Sequence, residues 1–454
     1  AVVFAQNPAT TLEDRNIDRY KAQAERAAQG DVDLLWVGDS ITHFWEGAGK
    51  EVWEKYYSNR KAMNFAISGD RTGHVLWRMA NTEMDKISPK MAVVMIGTNN
   101  IGHFINGKQH SSPAETVEGI QAIVNGLKAQ YPTMKILLLE VFARGNKADD
   151  PRRLDVDAIN AGLREIYADG AVENVQLFSI NNLFLTEDGT LPPEIMPDFL
   201  QPNKAGYEIW AKAIEPMIQD GLGENSVDTT PAAVNAEWWM NRFNEKNEEL
   251  KKGDVDILMV GDSITHGWEG AGKDVWQKYY GNMKAVNLGI GGDQTQAVLW
   301  RLENYDWSNV NPKLAVMLIG VNNTWGRDRE IKNIALGNRR IAQKLHALFP
   351  ELKIIALKIF PCTNDNISKS VLGDRFDEAT FVKQQDYIDS INALLPYYFA
   401  DMPYVESVDI GYVFMNKDGV LTEATMPDLL HPNGVGYESW GAALYLKINE
   451  YLGK

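Results

Sequence analysis

The sequence predicts an α/β protein made of two tandem copies of one domain, each with a five-stranded parallel sheet and helices on both faces. Two observations support this prediction. A set of motifs occurs twice, in the same order, once in each half of the chain. Within each copy, short apolar runs alternate with longer helical patterns, which is typical of strand–helix–strand units and a parallel sheet.

The repeat appears as long matching segments. GDVDLLWVGDSITHFWEGAGKEVWEKYY begins at Gly30, and GDVDILMVGDSITHGWEGAGKDVWQKYY begins at Gly253. This period far exceeds the roughly 20–50 residues of a solenoid repeat, so each copy is a whole domain. Composition and motif order predict a tail or signal-peptide remnant at 1–7, a first domain at 8–222, a linker at 223–232 and a second domain at 233–454.

Each element of a copy has its own signal. Polar helical stretches open the copies at Ile17–Gly30 and Trp238–Gly253, and amphipathic helices close them from Ala205 and Val435. The apolar runs of the second copy lack period-two alternation, which favours strands covered on both faces. These runs are DILMVG, AVNLGI, LAVMLIG, KIIALKIF and YVESVDI.

Composition limits the classes of partner. The chain has 454 residues, of which 44% are hydrophobic, and a formal net charge of −16. That charge argues against nucleic acid or an anionic membrane surface as partner. No run approaches the roughly 18 apolar residues of a membrane span. The opening AVVFAQ resembles the end of a signal peptide, which favours a secreted or periplasmic protein, with a cytoplasmic protein as the alternative.

Polar residues and a glycine follow the predicted strands of the second copy at Ser263, Gly292, Asn322, Asp428 and His431. In parallel sheets the carboxyl ends of the strands meet at one edge, where ligands bind. A serine nucleophile needs a base, here His431, and the base needs an orienting partner, here Asp428. Backbone N–H groups of Ser263 and Gly292, with the Asn322 amide, would supply an oxyanion hole.

Each of these residues also has a structural alternative. Ser263 is a candidate helix N-cap, and Gly292 a candidate turn glycine. Asn322 could close a loop, and a histidine such as His431 is often a surface or capping residue. Asp262, beside the serine, is expected to be structural. The complete set, in this order and at successive strand ends, is more specific than any member.

The motifs VGDSIT, GIGGD with VLWRL, IGVNN and DLLHPNGVGY together resemble the four blocks of the SGNH, or GDSL-type, hydrolases. NLGIGGDQTQAVLWRLEN is especially similar to the branch that contains the catalytic subunits of platelet-activating factor acetylhydrolase Ib. The resemblance implies a flavodoxin-like α/β/α sandwich and ester hydrolysis, often of acetyl esters, without metal or cofactor. By position it implies Ser263 as nucleophile, His431 as base and Asp428 as its partner. It assigns the oxyanion hole to Ser263, Gly292 and Asn322.

The first copy departs from this pattern at one position. It keeps Ser40, Gly69, Asn99 and Asp198 but has Gln201 where the family has histidine. A glutamine amide cannot accept a proton near neutral pH, so we expect a degenerate, non-catalytic site there. The alternative is rescue by another histidine, with His103 the candidate. His43 is expected to be structural, because His266 matches it in the second copy.

The expected function is removal of short acyl groups, such as acetyl, from carbohydrate by the second copy, while the first copy binds a ligand or serves as a scaffold. Trp325 is a candidate for the substrate rim, with core or rim packing as the alternative. The alternatives for the whole chain are a lipid or general short-chain aryl-ester hydrolase, and a non-catalytic glycan-binding or scaffold protein. The expected partner is a small-molecule or glycan ester, and the two copies are expected to pack together within the chain.

Overall fold

The computed structural model describes residues 6–454, and the chain divides after Glu224 into two compact units, called unit 1 and unit 2 below. The expected tail at 1–7 lies outside the described residues except for its last two. Most of the expected linker at 223–232 instead packs into unit 2. Its 3-10 turn Val227–Thr229 buries Asp228, which accepts hydrogen bonds from Asn323 at 2.7 Å and Arg329 at 2.5 Å.

Unit 1 contains the first copy of the repeat. Its strands are β1 (Leu34–Gly38), β2 (Ala62–Asn64), β3 (Met91–Met95), β4 (Phe104–Ile105), β5 (Lys108–Gln109), β6 (Lys135–Leu139) and β7 (Val175–Phe178). Its helices are α1 (Asp18–Ala28), α2 (Ser40–His43), α3 (Lys50–Tyr56), α4 (Thr72–Asn81), α5 (Thr98–Gly102), α6 (Pro113–Gln130), α7 (Pro151–Tyr167), α8 (Asn181–Phe184) and α9 (Lys204–Gly221).

Unit 2 contains the second copy. Its strands are β8 (Ile257–Gly261), β9 (Ala285–Asn287), β10 (Leu314–Leu318), β11 (Lys353–Leu357) and β12 (Val405–Val408). Its helices are α10 (Glu237–Lys251), α11 (Ser263–His266), α12 (Lys273–Tyr280), α13 (Thr295–Asn304), α14 (Ile331–Leu348), α15 (Asp365–Leu372), α16 (Gln384–Phe399) and α17 (Gly434–Tyr451).

Both units have one strand order. The five-stranded sheet of unit 1 runs β2-β1-β3-β6-β7, and that of unit 2 runs β9-β8-β10-β11-β12. All neighbouring strands in these sheets are parallel. This is the flavodoxin-like order, so the predicted fold class is confirmed. The order places the carboxyl end of the first strand of each copy between those of its second and third strands.

Helices cover both faces of the sheet in unit 1. Successive side chains of a strand point to opposite faces, and in β1 all of them are buried. In β1, Leu35 and Val37 share a buried cluster with Ile120 of α6. Trp36, between them, packs edge-on against Trp210 of α9, with ring centroids 5.7 Å apart. One face of the sheet therefore lies under α6, and the other lies under α9.

A fully buried ion pair fixes the loop after β9 in unit 2. Arg301 Nε donates to Asp293 Oδ2 at 2.9 Å, and both side chains are 0% exposed. The other nitrogens of Arg301 donate to the Leu288 and Gly261 carbonyls at 2.6 and 3.1 Å. Trp239 Nε1 donates to Asp293 Oδ1 at 2.6 Å. The pair thus ties the ends of two neighbouring strands to one loop.

Unit 1 has the same arrangement with one change of partner. Arg78 Nε donates to Asp70 Oδ2 at 2.9 Å, and Arg78 Nη1 donates to the Phe65 carbonyl at 2.6 Å. The place that Trp239 takes in unit 2 is taken here by Arg15, whose Nε donates to Asp70 Oδ1 at 2.6 Å.

We predict that Arg301→Leu lowers the free energy of unfolding by about 3–5 kcal/mol, because it leaves the Asp293 carboxylate buried without its cation. Guanidinium denaturation of the full chain measures this. The control is Lys313→Met, which breaks an exposed 3.8 Å ion pair with Asp256 and should cost less than about 1 kcal/mol. Equal losses for the two variants would show that the buried pair does not hold the fold.

Candidate active site

Ser263 lies where β8 turns into α11. Asp262 caps that helix, since its Oδ1 accepts the Ile264 N–H at 2.9 Å. Burial raises the pKa of Asp262 to about 7, the hydrogen bond from Ile264 opposes this shift, and nearby Asp293 adds to it. Only glycine fits before it, because a Cβ on Gly261 would lie 2.6 Å from the Leu318 carbonyl oxygen. The structure thus gives Asp262 the structural role expected from the sequence.

The structure brings Ser263, His431 and Asp428 into one hydrogen-bonded chain. Ser263 Oγ lies 2.9 Å from His431 Nε2, and His431 Nδ1 lies 2.6 Å from Asp428 Oδ2. A carboxylate can only accept, so Nδ1 carries the ring proton. Nε2 is then left as an acceptor for the serine hydroxyl. The arrangement can remove a proton from Ser263 and return it to a leaving group.

A tight turn holds Asp428 against the imidazole. Asp428 Oδ1 accepts the backbone N–H groups of Leu430 at 3.0 Å and His431 at 2.7 Å. The turn requires a φ of +60° at Leu429, a conformation that costs non-glycine residues on the order of 1–3 kcal/mol. Partial burial acts to raise the pKa of Asp428, but hydrogen bonds from the His431 ring and backbone outweigh it, so that pKa is lowered. The carboxylate therefore stays charged at neutral pH.

The loop that carries Gly292 and the side chain of Asn322 both approach the Asp262–Ser263 turn. A Cβ on Gly291 would lie 3.9 Å from Ser263 Cβ, and Asn322 Nδ2 lies 3.5 Å from Asp262 Oδ2. Gly292 has a φ of +77°, which favours glycine, and no atom lies within 4 Å of the position a Cβ would take. Asn322 Nδ2 donates to the Asp293 carbonyl at 2.9 Å. His266 Nδ1 accepts the Gly291 N–H at 3.2 Å and so holds this loop against α11. Burial lowers the pKa of His266, which suits a neutral acceptor.

Trp325, predicted at the substrate rim, directs its indole N–H to the site. Trp325 Nε1 donates to Asn322 Oδ1 at 2.9 Å. An indole N–H can only donate and the Asp293 carbonyl can only accept, so both partners impose the same orientation on the Asn322 amide. In that orientation the oxygen Oδ1 faces Trp325 and the nitrogen Nδ2 faces Asp293. Nδ2 is the atom of the amide that could donate to an oxyanion. The sequence offered no signal for this contact beyond the proximity of the two residues.

Unit 1 keeps the backbone of the site but not its base. Ser40 Oγ accepts a hydrogen bond from Gln201 Nε2 at 2.5 Å. Asp198 Oδ1 accepts the Gln201 N–H at 2.7 Å, as Asp428 does with His431. Gly69 has a φ of +81°, and Asn99 Nδ2 donates to the Asp70 carbonyl at 2.9 Å. Even the strained turn remains, with a φ of +58° at Phe199.

The four histidines of unit 1 have hydrogen-bond partners other than Ser40. His74 Nδ1 accepts the Arg71 N–H at 2.9 Å. His103 Nδ1 lies 2.9 Å from Arg71 Nη1, and His110 Nδ1 lies 2.7 Å from Ser111 Oγ. His43 Nδ1 accepts the backbone N–H of residue 68 at 3.2 Å, matching His266 in unit 2. The partner of Ser40 is therefore a glutamine, and the rescue by His103 considered from the sequence is not seen.

Within residues 6–454, no group of three or more His, Cys, Asp or Glu side chains is arranged to hold a metal ion. Burial raises the pKa of Cys362 to about 12, so its sulfur remains a thiol at neutral pH. Over the same residues, no helix is both long and apolar enough to cross a membrane.

Comparison with known proteins gives the same family for both units. The model of the GDSL-like lipase/acylhydrolase family matches residues 36–209 and 259–438. The human platelet-activating factor acetylhydrolase IB subunit alpha2 is 35% identical over 212 residues, covering 46% of this chain and 86% of that protein. The human alpha1 subunit is 29% identical over 199 residues, covering 44% and 80%.

Solved structures include similar chains at lower identity. A putative acylhydrolase from Bacteroides fragilis has 21% identity and a TM-score of 0.39, covering 48% of this chain and 100% of its own. An acetylxylan esterase from Geobacillus stearothermophilus has 18% identity and a TM-score of 0.34, covering 43% and 95%.

We predict that Trp325→Phe lowers kcat for p-nitrophenyl acetate by about tenfold with little change in KM. The ring face remains, but the N–H that orients Asn322 is lost, and a whole oxyanion donor contributes on the order of 10²–10³ in kcat. The control is Trp307→Phe, which removes an indole hydrogen bond of 2.8 Å to the Leu302 carbonyl. An increase in KM at constant kcat would instead assign Trp325 to substrate contact.

Proposed function

The chain belongs to the GDSL-like lipase/acylhydrolase family, and from this we propose that unit 2 is a serine esterase for short acyl groups whereas unit 1 is catalytically silent. One observation carries the proposal. The Asp428–His431–Ser263 chain is continuous in unit 2, with distances of 2.6 and 2.9 Å, whereas Ser40 in unit 1 meets an amide.

In the first half of the proposed reaction, Ser263 Oγ attacks the acyl carbon while His431 Nε2 takes the hydroxyl proton. The carbonyl oxygen becomes an oxyanion, which the Ser263 and Gly292 N–H groups and Asn322 Nδ2 stabilise. The Asp428 carboxylate stabilises the imidazolium. Collapse of the intermediate breaks the ester C–O bond, and the imidazolium gives its proton to the departing alcohol.

In the second half, water attacks the acyl-serine. His431 takes a proton from that water, and the same oxyanion donors stabilise the second tetrahedral intermediate. Its collapse breaks the acyl–Oγ bond, returns the proton to Ser263 and releases a carboxylic acid. Each proton moves between Oγ, Nε2 and the reacting oxygens, so the cycle requires no further ionisable group.

We propose O-acylated carbohydrate as the substrate class. Support comes from the openness of the site, because the side chains of His431 and Asp428 are 41% and 50% exposed. A surface site of this kind suits a short acyl group on a large hydrated molecule. The segment after β11 also borders it, since Asn364 Nδ2 donates to the Asp428 carbonyl at 2.8 Å.

A lipid or general short-chain ester is the second candidate. It is favoured by the 35% identity to subunits named platelet-activating factor acetylhydrolase. A glycan-binding protein without esterase activity is the third candidate, and the intact triad of unit 2 weighs against it.

We predict that His431→Gln, which copies the natural residue of unit 1, lowers kcat for p-nitrophenyl acetate by about 10⁴-fold or more, since loss of the base from a serine triad costs on the order of 10⁶ in a well-studied protease. Ser263→Ala should act equally, and Ser40→Ala should leave the rate unchanged. Steady-state kinetics on the three variants measure this. A loss in Ser40→Ala comparable with that in Ser263→Ala would refute the division of roles.

We predict that wild type releases acetate from acetylated xylan or other acetylated glycans faster than from a short-chain phospholipid with an acetyl group. Acetate assay over a panel of acetylated xylan, pectin, sialic acid and the phospholipid measures this, with Ser263→Ala as the blank. Preference for the phospholipid would support the second candidate. A chain inert on every ester yet retained on a glycan column would support the third.

A further inference from the structure

The degenerate site of unit 1 contains an arginine where unit 2 has an uncharged residue. Arg144 follows β6 at the position that Cys362 occupies after β11. Its Nη1 donates to the carbonyl and hydroxyl oxygens of Thr98 at 3.1 and 3.0 Å. Thr98 directly precedes Asn99, the retained oxyanion donor. The guanidinium therefore lies against the element that carries Asn99.

Arg144 fills the place of the missing tryptophan. Gly102 stands at the position of Trp325 in the repeat, and a Cβ on Gly102 would lie 2.5 Å from Arg144 Nη1. Burial and the charge of Arg152 lower the pKa of Arg144, against the opposing effect of Asp150, Asp39 and Asp198. An arginine side chain still remains charged at neutral pH. Where unit 2 has an indole beside its oxyanion donor, unit 1 thus has a cation.

A second arginine lies on the other side of this site. Arg15 Nη2 donates to the Ser68 carbonyl at 2.6 Å and lies 3.7 Å from the position that a Cβ on Gly69 would take. Around Gly292, no atom lies within 4 Å of the corresponding position. Two guanidinium groups therefore flank the retained donors, one beside Gly69 and one beside Asn99. Asp70 pairs with both Arg15 and Arg78, so one carboxylate faces two guanidinium groups there.

Gln201 makes the Ser40 hydroxyl a hydrogen-bond acceptor, whereas the Ser263 hydroxyl is a donor to His431. In unit 2, the Ser263 hydroxyl donates a hydrogen bond to His431 Nε2. In unit 1, Ser40 Oγ accepts from Gln201 Nε2, so its own proton is available for a ligand. Ser40, Gly69 and Asn99 then form a set of donors with no base. Such a set stabilises a permanent anion rather than a transient one.

We propose that the site of unit 1 binds a carboxylate-bearing ligand, with Ser40, Gly69 and Asn99 donating to one oxygen and Arg144 to the other. The planar fork of a guanidinium matches a carboxylate. The ligand is a monocarboxylate, and the two sources of that chemistry are a released acyl anion and an acidic sugar. The proposal requires no turnover by unit 2.

Isothermal titration calorimetry on the full chain tests this with acetate and glucuronate, each beside an uncharged counterpart, acetamide or glucose. We expect at least one carboxylate to bind and its counterpart to bind at least tenfold more weakly. Acetate binding without glucuronate binding assigns the ligand as the acyl anion, and the reverse assigns it as an acidic sugar. Failure of both carboxylates to bind overturns the proposal, as does equal binding of charged and uncharged probes.

Matched variants locate the site. Ser40→Leu replaces the hydroxyl donor of unit 1 with a larger apolar side chain, and Ser263→Leu makes the same change in unit 2. We expect Kd to rise at least tenfold in Ser40→Leu and in Arg144→Met, and to stay unchanged in Ser263→Leu. Circular dichroism checks folding, and Ser40→Leu remains a test if Arg144→Met does not fold. Binding lost in Ser263→Leu but kept in Ser40→Leu would place the ligand in unit 2 and overturn the proposal.

Discussion

The proposed chemistry of this protein depends on one contact, the hydrogen bond between Ser263 Oγ and His431 Nε2. A hydroxyl becomes a useful nucleophile only when a neighbour accepts its proton as it attacks. The parallel sheet, the buried ion pair and the strained turn bring two residues distant in sequence to hydrogen-bond distance. Unit 1 keeps all three features and differs at the atom that accepts the proton.

The two units share the residues that hold the loops of the site in place, and they differ in side chains around it. Asp293 and Arg301 in unit 2 correspond to Asp70 and Arg78 in unit 1, and both pairs are fully buried. Removing either partner would leave the other charge buried without compensation, which would destabilise the fold. Both residues of the pair are therefore needed for stability even in a site that does no catalysis. The side chains that line the site carry no such constraint. Their changes, from Trp325 to Gly102 and from Cys362 to Arg144, are the changes that alter charge and hydrogen bonding.

Much of the fold could be predicted from the sequence because the signals are local or repeated. Apolar runs without alternation gave the strands, and the order of motifs placed Ser263, Gly292 and Asn322 at successive strand ends. The role of Trp325 could not be predicted, because a position in the chain does not tell which way an indole N–H points. The burial of Asp228 could not be predicted, because its partners lie about a hundred residues away along the chain. The hairpin of β4 and β5 is too short to leave a periodic pattern.

The turn at Phe199 has a consequence for the history of this chain. Its left-handed backbone is costly, yet it is present in a unit that carries an amide rather than an imidazole after the turn. Glutamine and histidine codons differ only in their third base. One nucleotide change at position 201 would therefore install an imidazole on a loop already shaped to orient it, and the reverse change at position 431 would remove the imidazole from the other half. Each half of this gene is therefore a single point mutation away from gaining or losing the imidazole at this turn.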